Sequence, residues 1–277
     1  MIPPQALAAV PGSGSGHAPR ITALAGGLVN RAFRIETSAG VFVLRLNSSL
    51  RESALLGVDR RIEIAAQRLA AGIGLAPRVV AVSPDHAFQV CEFVAGETAG
   101  ARELASPSGM ASLGASLRGL RALQPPDDWR DADLLARARR LVGLATRRAP
   151  GGAPALHAAL ATAEAGWIAA GRGRRPCLVH SDPNPGNVVM VPGGGPAVLL
   201  DWEYAHVGDP LQDPAAWLQA CPALRGHELE LLRACGLEGE ADPVMLAGMA
   251  AVYAALGAAW SRLVETAAGV ALDGRAN

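Results

Sequence analysis

Residues 180–187 read His180-Ser181-Asp182-Pro183-Asn184-Pro185-Gly186-Asn187, and Asp201 follows fourteen residues later, after the apolar run 198–200. Phosphoryl transfer needs side chains of these types for physical reasons. One carboxylate orients the attacking hydroxyl and accepts its proton. An amide oxygen and another carboxylate hold Mg²⁺ against the polyphosphate and neutralise the charge that builds up during transfer. The stretch therefore predicts a phosphoryl-transfer site.

The spacing His-x-Asp-x-x-x-x-Asn is that of a kinase catalytic loop. By itself it fixes only three positions. The alternative is a set of polar residues in turns, which the neighbouring Pro and Gly residues would also explain. Asp201 at a strand end, the turn Gly208-Asp209-Pro210 and Asp213 add further matches, and together they favour the catalytic interpretation.

Composition narrows the possible mechanisms. The 277 residues suffice for two modest domains or one large one, and the net charge of +0 gives no indication of nucleic acid or a membrane surface as a partner. The chain contains no lysine, which excludes mechanisms built on a P-loop lysine or a Schiff base. Any phosphate clamp must therefore be an arginine.

Cysteine spacing and the N-terminal sequence favour a cytoplasmic protein. The four cysteines show no C-x-x-C pattern, as expected of buried thiols in a reducing compartment, and no signal-peptide pattern opens the chain. Residues 243–261 carry no charge, but their large side chains recur at helical spacing between Ala and Gly. This pattern predicts a buried core helix and not a membrane span.

The order of patterns along the chain predicts two lobes. Residues 1–20, rich in Pro, Gly and Ser, are expected to form a mobile arm. Residues 21–95 contain strand patterns and one helix at 59–71, and they are expected to form a nucleotide-binding lobe. Residues 96–277 are mainly helical and would form the catalytic and substrate-binding lobe. A ligand would lie in the cleft between the lobes.

From Ile21 to Trp217 the chain resembles the aminoglycoside phosphotransferase and choline kinase superfamily. The stretch 199–205, Leu-Leu-Asp-Trp-Glu-Tyr-Ala, looks most like the bacterial choline kinase and thiamine kinase branch. The resemblance implies an α+β, two-lobed protein-kinase-like fold, with a small β-rich N-terminal lobe and a larger, mostly helical C-terminal lobe. It also implies an ATP- and Mg²⁺-dependent phosphotransferase that acts on an alcohol group.

The same resemblance assigns roles around the catalytic loop. It implies Asp182 as the catalytic base, and Asn187 and Asp201 as Mg²⁺ ligands. His180 and Asp213 would be structural partners of the loop.

In the small lobe, residues 26–31 look like the loop that covers the nucleotide in this superfamily, so Gly26, Gly27 and Asn30 are expected at the nucleotide. Residues 92–96 lie where the hinge between lobes should be. Backbone groups from Glu92 to Val94 would bind adenine there, and the Glu92 side chain itself is expected to be structural.

Arg45 occupies the position where protein kinases place their phosphate-binding lysine. A guanidinium can hold phosphate oxygens bidentately, which suits this role, although an exposed strand residue is the alternative. Glu63 is expected to be the helix carboxylate that pairs with Arg45. Glu52 is the alternative partner.

The acceptor substrate is predicted from charge. Residues 201–242 hold nine Asp and Glu against two Arg, and Glu203 lies two positions after Asp201. This balance suits a cationic amino alcohol such as choline or thiamine. Aromatic faces for the cation could come from Trp202, Tyr204, Trp217 and Trp260. Three alternatives remain open: an aminoglycoside, another sugar or metabolite, or a nucleotide-binding regulator without turnover.

Overall fold

The computed structural model describes residues 1–24, 30–50, 53, 56–129, 132–171 and 173–273, with side chains to residue 266. The chain folds into a β-rich N-terminal lobe and a helical C-terminal lobe, as predicted. Gly26, Gly27 and Glu52 lie outside the described residues.

The N-terminal lobe is built on an antiparallel sheet with the strand order β1-β2-β3-β5-β4. The strands are β1 (Arg20–Leu24), β2 (Arg31–Thr37), β3 (Gly40–Leu46), β4 (Val79–Val82) and β5 (Phe88–Glu92). Along β3, Phe42, Leu44 and Leu46 are buried on one face, while Arg45 lies on the other. The period of two thus directs Arg45 away from the lobe's core and towards the cleft.

One long helix, α2 (Arg60–Ala71), packs against the sheet and begins at Asp59, whose carboxylate accepts a hydrogen bond from the Arg61 backbone N–H at 2.9 Å. Its buried face contains Glu63 as well as Ile64, Ala66 and Ala70. Arg60 and Gln67 are also buried on this helix, and a buried carboxylate such as that of Glu63 requires a buried partner.

The prediction of a mobile arm is wrong for the first residues of the chain. Pro4–Ala8 form a short helix, α1, and Ala6 and Val10 are buried against the sheet. Ala6 and Val10 belong to the same apolar cluster as Ile35 and Phe42, so two small side chains are enough for this docking.

The C-terminal lobe surrounds two short β-ribbons with helices. The helices are α3 (Ala101–Leu104), α4 (Pro107–Ala122), α5 (Leu134–Arg148), α6 (Ala153–Ala169), α7 (Gln212–Ala220), α8 (Glu228–Ala234) and α9 (Pro243–Asp273). One ribbon pairs β6 (Cys177–Val179) with β9 (His206–Gly208), and the other pairs β7 (Val188–Val189) with β8 (Val198–Leu199).

These ribbons position the predicted site. The stretch 180–187 runs from the end of β6 to the start of β7, and Asp201 follows the end of β8. The backbone N–H of Leu200 donates to the carbonyl of Asn187 at 2.7 Å, so the two motif segments lie side by side. Residues thirteen positions apart in sequence thereby become neighbours.

Gly96 lies where the chain crosses between lobes. Its φ is 141°, and a Cβ on this residue would stand 2.7 Å from Cγ1 of Val189. Only glycine combines this backbone conformation with so close an approach.

Residues 243–266 of α9 are long and apolar enough to span a membrane by length and composition. The helix packs against α5, α6 and α7, with Leu246, Val252 and Ala255 fully buried. This packing agrees with the predicted core helix.

Candidate active site

Asp213 holds the start of the catalytic loop. Its carboxylate accepts hydrogen bonds from the backbone N–H groups of His180 at 3.0 Å and Ser181 at 2.6 Å. Ser181 takes a left-handed backbone conformation with φ of 69°, which is unusual for a residue with a side chain. Burial raises the pKa of Asp213 to about 6, and the two backbone hydrogen bonds oppose the rise. The predicted partnership of Asp213 with the loop is therefore present.

His180 joins the two motif segments. Its Nε2 donates to the carbonyl of Leu200 at 2.8 Å, since that oxygen can only accept, and its Nδ1 accepts from the backbone N–H of Asp182 at 3.3 Å. The ring is fully buried and meets Trp202 edge-on, with centroids 4.7 Å apart. Burial lowers the pKa of His180 from 6.5 to about 4, so the imidazole is neutral.

This neutral histidine predicts a loss of stability in acid. The unfolded chain takes up a proton at His180 near pH 6.5, whereas the folded protein does so only near pH 4. The free energy of unfolding should therefore fall as the pH falls from 6.5 towards 4, by about 1–3 kcal/mol for this group.

Urea unfolding of the wild type and His180→Asn at pH 8 and pH 5 measures the effect. The variant should lose less free energy between these pH values. It should keep part of the loss, because burial also lowers the pKa of His206 to about 4. Equal losses in both proteins would contradict the assignment.

Asp182 is fixed by two amides. Its Oδ1 accepts from Nδ2 of Asn184 at 2.6 Å, and its Oδ2 accepts from Nδ2 of Asn187 at 2.9 Å. Burial raises the pKa of Asp182 to about 7, and the Asp201 and Glu203 carboxylates add to the rise, while the Asn184 and Asn187 bonds oppose it. A carboxylate with a pKa near neutrality is suited to take up a proton from a hydroxyl.

Asn187 and Asp201 fit a site for Mg²⁺. Because Nδ2 of Asn187 donates to Asp182, the amide oxygen is left to coordinate a cation. Asp201 has φ of 55° and a side chain that is 38% exposed. Partial burial and the Glu203 carboxylate raise the pKa of Asp201 to about 6 against the opposing effect of Arg45, so a cation beside it would be stabilising.

The donor set of Asn187 and Asp201 is one amide oxygen and one carboxylate. Mg²⁺ prefers oxygen ligands and usually takes only one or two protein carboxylates, with substrate phosphates and water completing its shell. The residues therefore fit the ion.

Arg45 lies between the two lobes, and its expected pairing with Glu63 is present. Its Nη2 donates to Oε1 of Glu63, its Nη1 donates to Oδ1 of Asp201 at 2.9 Å, and its Nε donates to Oδ1 of Asn47 at 2.9 Å. Burial alone would lower the pKa of Arg45, but Glu63 and Asp201 raise it above its ordinary value. The guanidinium is thus permanently charged and placed at the cleft.

A second arginine, Arg60, was missed by sequence reasoning. It is 3% exposed, and its Nη1 donates to Oε2 of Glu63 at 2.7 Å and to Oε2 of Glu203 at 3.3 Å. Its Nη2 donates to Oδ1 of Asn30 at 3.1 Å, and Nδ2 of Asn30 donates to Oε2 of Glu203 at 2.9 Å. Arg60 thereby connects α2 of the small lobe to the segment after Asp201.

This network changes the interpretation of Asn30. Its Oδ1 also accepts from the backbone N–H of Ser48 at 3.0 Å, so both ends of the amide bind protein groups. The side chain therefore joins the lobes, and its predicted contact with the nucleotide stays a prediction.

Glu92 ends β5 at the hinge, and its carboxylate binds Arg78, in agreement with a structural role for this side chain. Phe93 donates its backbone N–H to the carbonyl of Val41 at 3.0 Å. Val94 is half-buried beside it. Adenine binding by the backbone of this hinge stays a prediction.

Trp202 does not offer a ring to an acceptor substrate. It is 1% exposed and its Nε1 donates to the carbonyl of Leu199 at 2.9 Å, so the prediction of a substrate contact is wrong. Trp217 is fully buried and excluded for the same reason. Tyr204 and Trp260 remain, both half-buried.

The lobes, the cleft and the catalytic loop define a kinase-like phosphotransferase, and the comparison with known families agrees. The model of the phosphotransferase enzyme family matches residues 20–261. The chain therefore belongs to this family, whose members transfer phosphoryl groups to hydroxyls. No curated protein matches it in sequence.

Solved structures share the fold. A choline/ethanolamine kinase family protein from Mesorhizobium loti is 23% identical, with a TM-score of 0.72 over 99% of this chain and 87% of that chain. The choline kinase LicA from Streptococcus pneumoniae is 16% identical, with a TM-score of 0.74 over 91% and 88%. A spectinomycin phosphotransferase in complex with ADP and spectinomycin is 13% identical, with a TM-score of 0.64 over 88% and 81%. These likenesses confirm the predicted protein-kinase-like fold.

Proposed function

We propose that the protein is an ATP- and Mg²⁺-dependent kinase that transfers the γ-phosphate to the hydroxyl of a small molecule. The observation that carries the proposal is the arrangement of Asp182, Asn187 and Asp201 on two adjoining segments at the cleft. Asp182 is held by amides with its pKa near 7. Asn187 and Asp201 would hold Mg²⁺, which supplies a positive charge that stabilises the transferring phosphoryl group.

Asp182 would accept a hydrogen bond from the substrate hydroxyl, orient its oxygen and take up its proton. Asn184 and Asn187 restrict the carboxylate to one orientation. Asp213 and His180 keep the loop in place through bonds to its backbone and to Leu200. These side chains therefore provide the positioning that phosphoryl transfer depends on most.

Arg45 would bind phosphate oxygens of the nucleotide. Its guanidinium is held by Glu63 and at present also by Asp201. With a nucleotide bound, Glu63 would keep the guanidinium in place, and Asp201 would be one of the residues that hold Mg²⁺. Gly26 and Gly27 would cover the phosphates, and the backbone from Glu92 to Val94 would bind the base.

For the acceptor substrate we propose an amino alcohol, of which choline and thiamine are examples. Support comes from the solved choline and ethanolamine kinases of the same fold and from the carboxylates at the cleft. Every hydrogen bond described at Glu203 ends on Oε2. Its Oε1 would bind the ammonium group of the substrate.

Glu203→Gln tests the amino alcohol proposal. The variant should raise the KM for a cationic substrate and leave the KM for ATP nearly unchanged, with a loss in kcat/KM of roughly five- to hundredfold. High salt should weaken binding of this substrate in the wild type more than in the variant. If the KM for ATP rises instead, Glu203 acts only through Arg60 in aligning the lobes.

The kinase function itself is tested by ADP formation with Mg²⁺ and a panel of alcohols. The panel should contain choline, thiamine, ethanolamine, an aminoglycoside and neutral sugars of similar size. Formation of ADP that depends on one of them supports the proposal. Stabilisation by ATP without turnover on any of them would favour a nucleotide-binding regulator. The free, buried cysteines support a cytoplasmic setting for this activity.

A further inference from the structure

Arg60 binds four groups that come from both lobes. Its Nη1 donates to Oε2 of Glu63 at 2.7 Å and to Oε2 of Glu203 at 3.3 Å. Its Nη2 donates to Oδ1 of Asn30 at 3.1 Å and to Oγ of Ser48 at 3.2 Å. A planar guanidinium, with its donors in a fixed fork, can serve four acceptors at once, which an ammonium group with three donors cannot. This position therefore calls for arginine.

Glu63 lies between two arginines. Its Oε1 accepts from Arg45 and its Oε2 accepts from Arg60. Burial alone would raise the pKa of Glu63, but Arg45 and Arg60 lower it below its ordinary value, so the carboxylate is ionised. A carboxylate that binds one arginine at each oxygen cannot turn without losing one of these charge-assisted bonds. The position of Arg45 at the cleft thus depends on Arg60 as well as on Glu63.

Two groups of contacts cross from the small lobe to the segment after β8. Arg45 reaches Asp201 at 2.9 Å, and both Arg60 and Asn30 reach Glu203, two residues further along the chain. Arg60 is 3% exposed and Glu203 is 8% exposed, so the two charges are removed from water together. Their contact exists only while the lobes keep this arrangement. A nucleotide held by Arg45 on one lobe and by a metal at Asp201 on the other would stabilise the same arrangement.

We propose that Arg60 is a positioning residue that couples the nucleotide site to the acceptor site, so that each substrate binds more tightly when the other is bound. Through Glu63 it holds Arg45 for the phosphates, and it holds directly the Glu203 carboxylate that would bind the ammonium group. The coupling is reciprocal, because it is a difference in binding free energy between the two sites. This inference rests on the proposed function and adds the residue that connects its two sites.

Calorimetric titration of the full chain measures the coupling. Ethanolamine and choline are each titrated with and without saturating Mg²⁺ and a non-hydrolysable ATP analogue. The wild type should bind at least one of these amines about fivefold to fiftyfold more tightly when the analogue is present. Arg60→Met should reduce this gain to about twofold or less, because Glu203 is then no longer connected to Glu63.

Arg61→Met is the matched control. Arg61 is the next residue of α2, but its side chain is 81% exposed and paired with Asp59 at the surface. This variant should keep the gain of the wild type. Arg60→Lys keeps the charge and loses the fork, so it should show an intermediate gain, and it carries the test if Arg60→Met does not fold. Urea unfolding of each variant shows whether it is folded.

A second substitution at Arg45 separates positioning from a general loss of structure. If Arg60 acts on the nucleotide through Glu63 and Arg45, Arg60→Met should weaken binding of the Mg²⁺-bound analogue by about tenfold in the wild type. In a protein that already carries Arg45→Met, the same change should have almost no further effect, since the group that Arg60 positions is gone. Equal losses in both backgrounds would overturn the proposed route.

The proposal is also overturned if the wild type binds both amines equally well with and without the analogue, or if Arg60→Met keeps the full gain. If neither amine binds under either condition, the amino alcohol proposal fails. The alcohol that supports ADP formation then replaces the amines, and Arg60→Met must still lose the gain. Absence of phosphoryl transfer to every alcohol would refute the kinase function itself, whereas the titrations need no turnover and still measure the coupling.

Discussion

Asp182→Asn should abolish turnover while the protein remains folded and still binds ATP. The substitution removes the proposed base and replaces the oxygen that we propose positions the hydroxyl. General-base contributions are typically about 10²–10⁴-fold, and loss of positioning adds to them. We expect kcat to fall by at least about a thousandfold, with the dissociation constant for Mg·ATP within about threefold of the wild type.

Asp182→Asn should also lower the stability of the protein, because the carboxylate accepts two hydrogen bonds. Both oxygens of Asp182 accept from amide N–H groups, so an asparagine at this position loses one of the two bonds. The free energy of unfolding should fall by about 1–3 kcal/mol. Asn184→Ala is the matched control, since it removes one of these bonds but keeps the carboxylate. If Asp182→Asn retains more than about a tenth of the activity, Asp182 is not the base.

The catalytic loop and the carboxylate after it could be predicted from the sequence, because the spacing of their residues along the chain is typical of such a loop. The loop 180–187 and Asp201 are fixed by two ribbons of a few residues, and the apolar run before Asp201 already indicates a strand. Arg45 and Glu63 were also predicted to pair, since strand parity and the helical stripe of α2 direct both towards the cleft. Local periodicity is sufficient for such inferences.

Contacts between distant segments could not be predicted in this way. Arg60 and Glu203 are 143 positions apart, and neither strand nor helix pattern indicates that they meet. Trp202 was assigned to the substrate because aromatic rings bind cations, yet its ring fills the core beside His180. A turn residue carries no periodicity that tells which way its side chain points.

Residues 1–20, which were predicted to form a mobile arm, show a second limit of prediction from composition. Gly and Ser in residues 12–16 do indicate a flexible segment, but Ala6 and Val10 precede it and are buried against Phe42 and other sheet residues. Composition averaged over a segment hides two well-placed apolar side chains. Docking depends on the shape of the sheet, which only the fold supplies.

Asp201→Ala should abolish Mg²⁺-dependent binding of ATP. The proposed site has one carboxylate and one amide oxygen from the protein, so removing the carboxylate takes away its only anionic ligand. We expect the affinity for Mg·ATP to fall by about a hundredfold or more. Asn187→Ala should weaken it less, because an amide contributes no charge.

The contacts of Asp201 show which variants separate the loss of Mg²⁺ binding from a loss of folding. Arg45 keeps its bond to Glu63 when Asp201 is removed, so the small lobe should remain folded. Asp201→Asn keeps an oxygen for Nη1 of Arg45 and isolates the effect of charge. Asp85→Ala, at an exposed carboxylate in the turn between β4 and β5, should leave Mg·ATP affinity unchanged.

Calorimetric titrations of Mg·ATP and of ATP in the presence of a chelator decide the assignment of Asp201. The wild type should bind ATP more tightly with Mg²⁺ than with the chelator, and Asp201→Ala should bind ATP equally well under both conditions. If the variant binds Mg·ATP as well as the wild type does, Asp201 is not a metal ligand. Its bond to Arg45 would then serve only to hold the guanidinium, and the phosphate-binding role of Arg45 would have to be tested by itself.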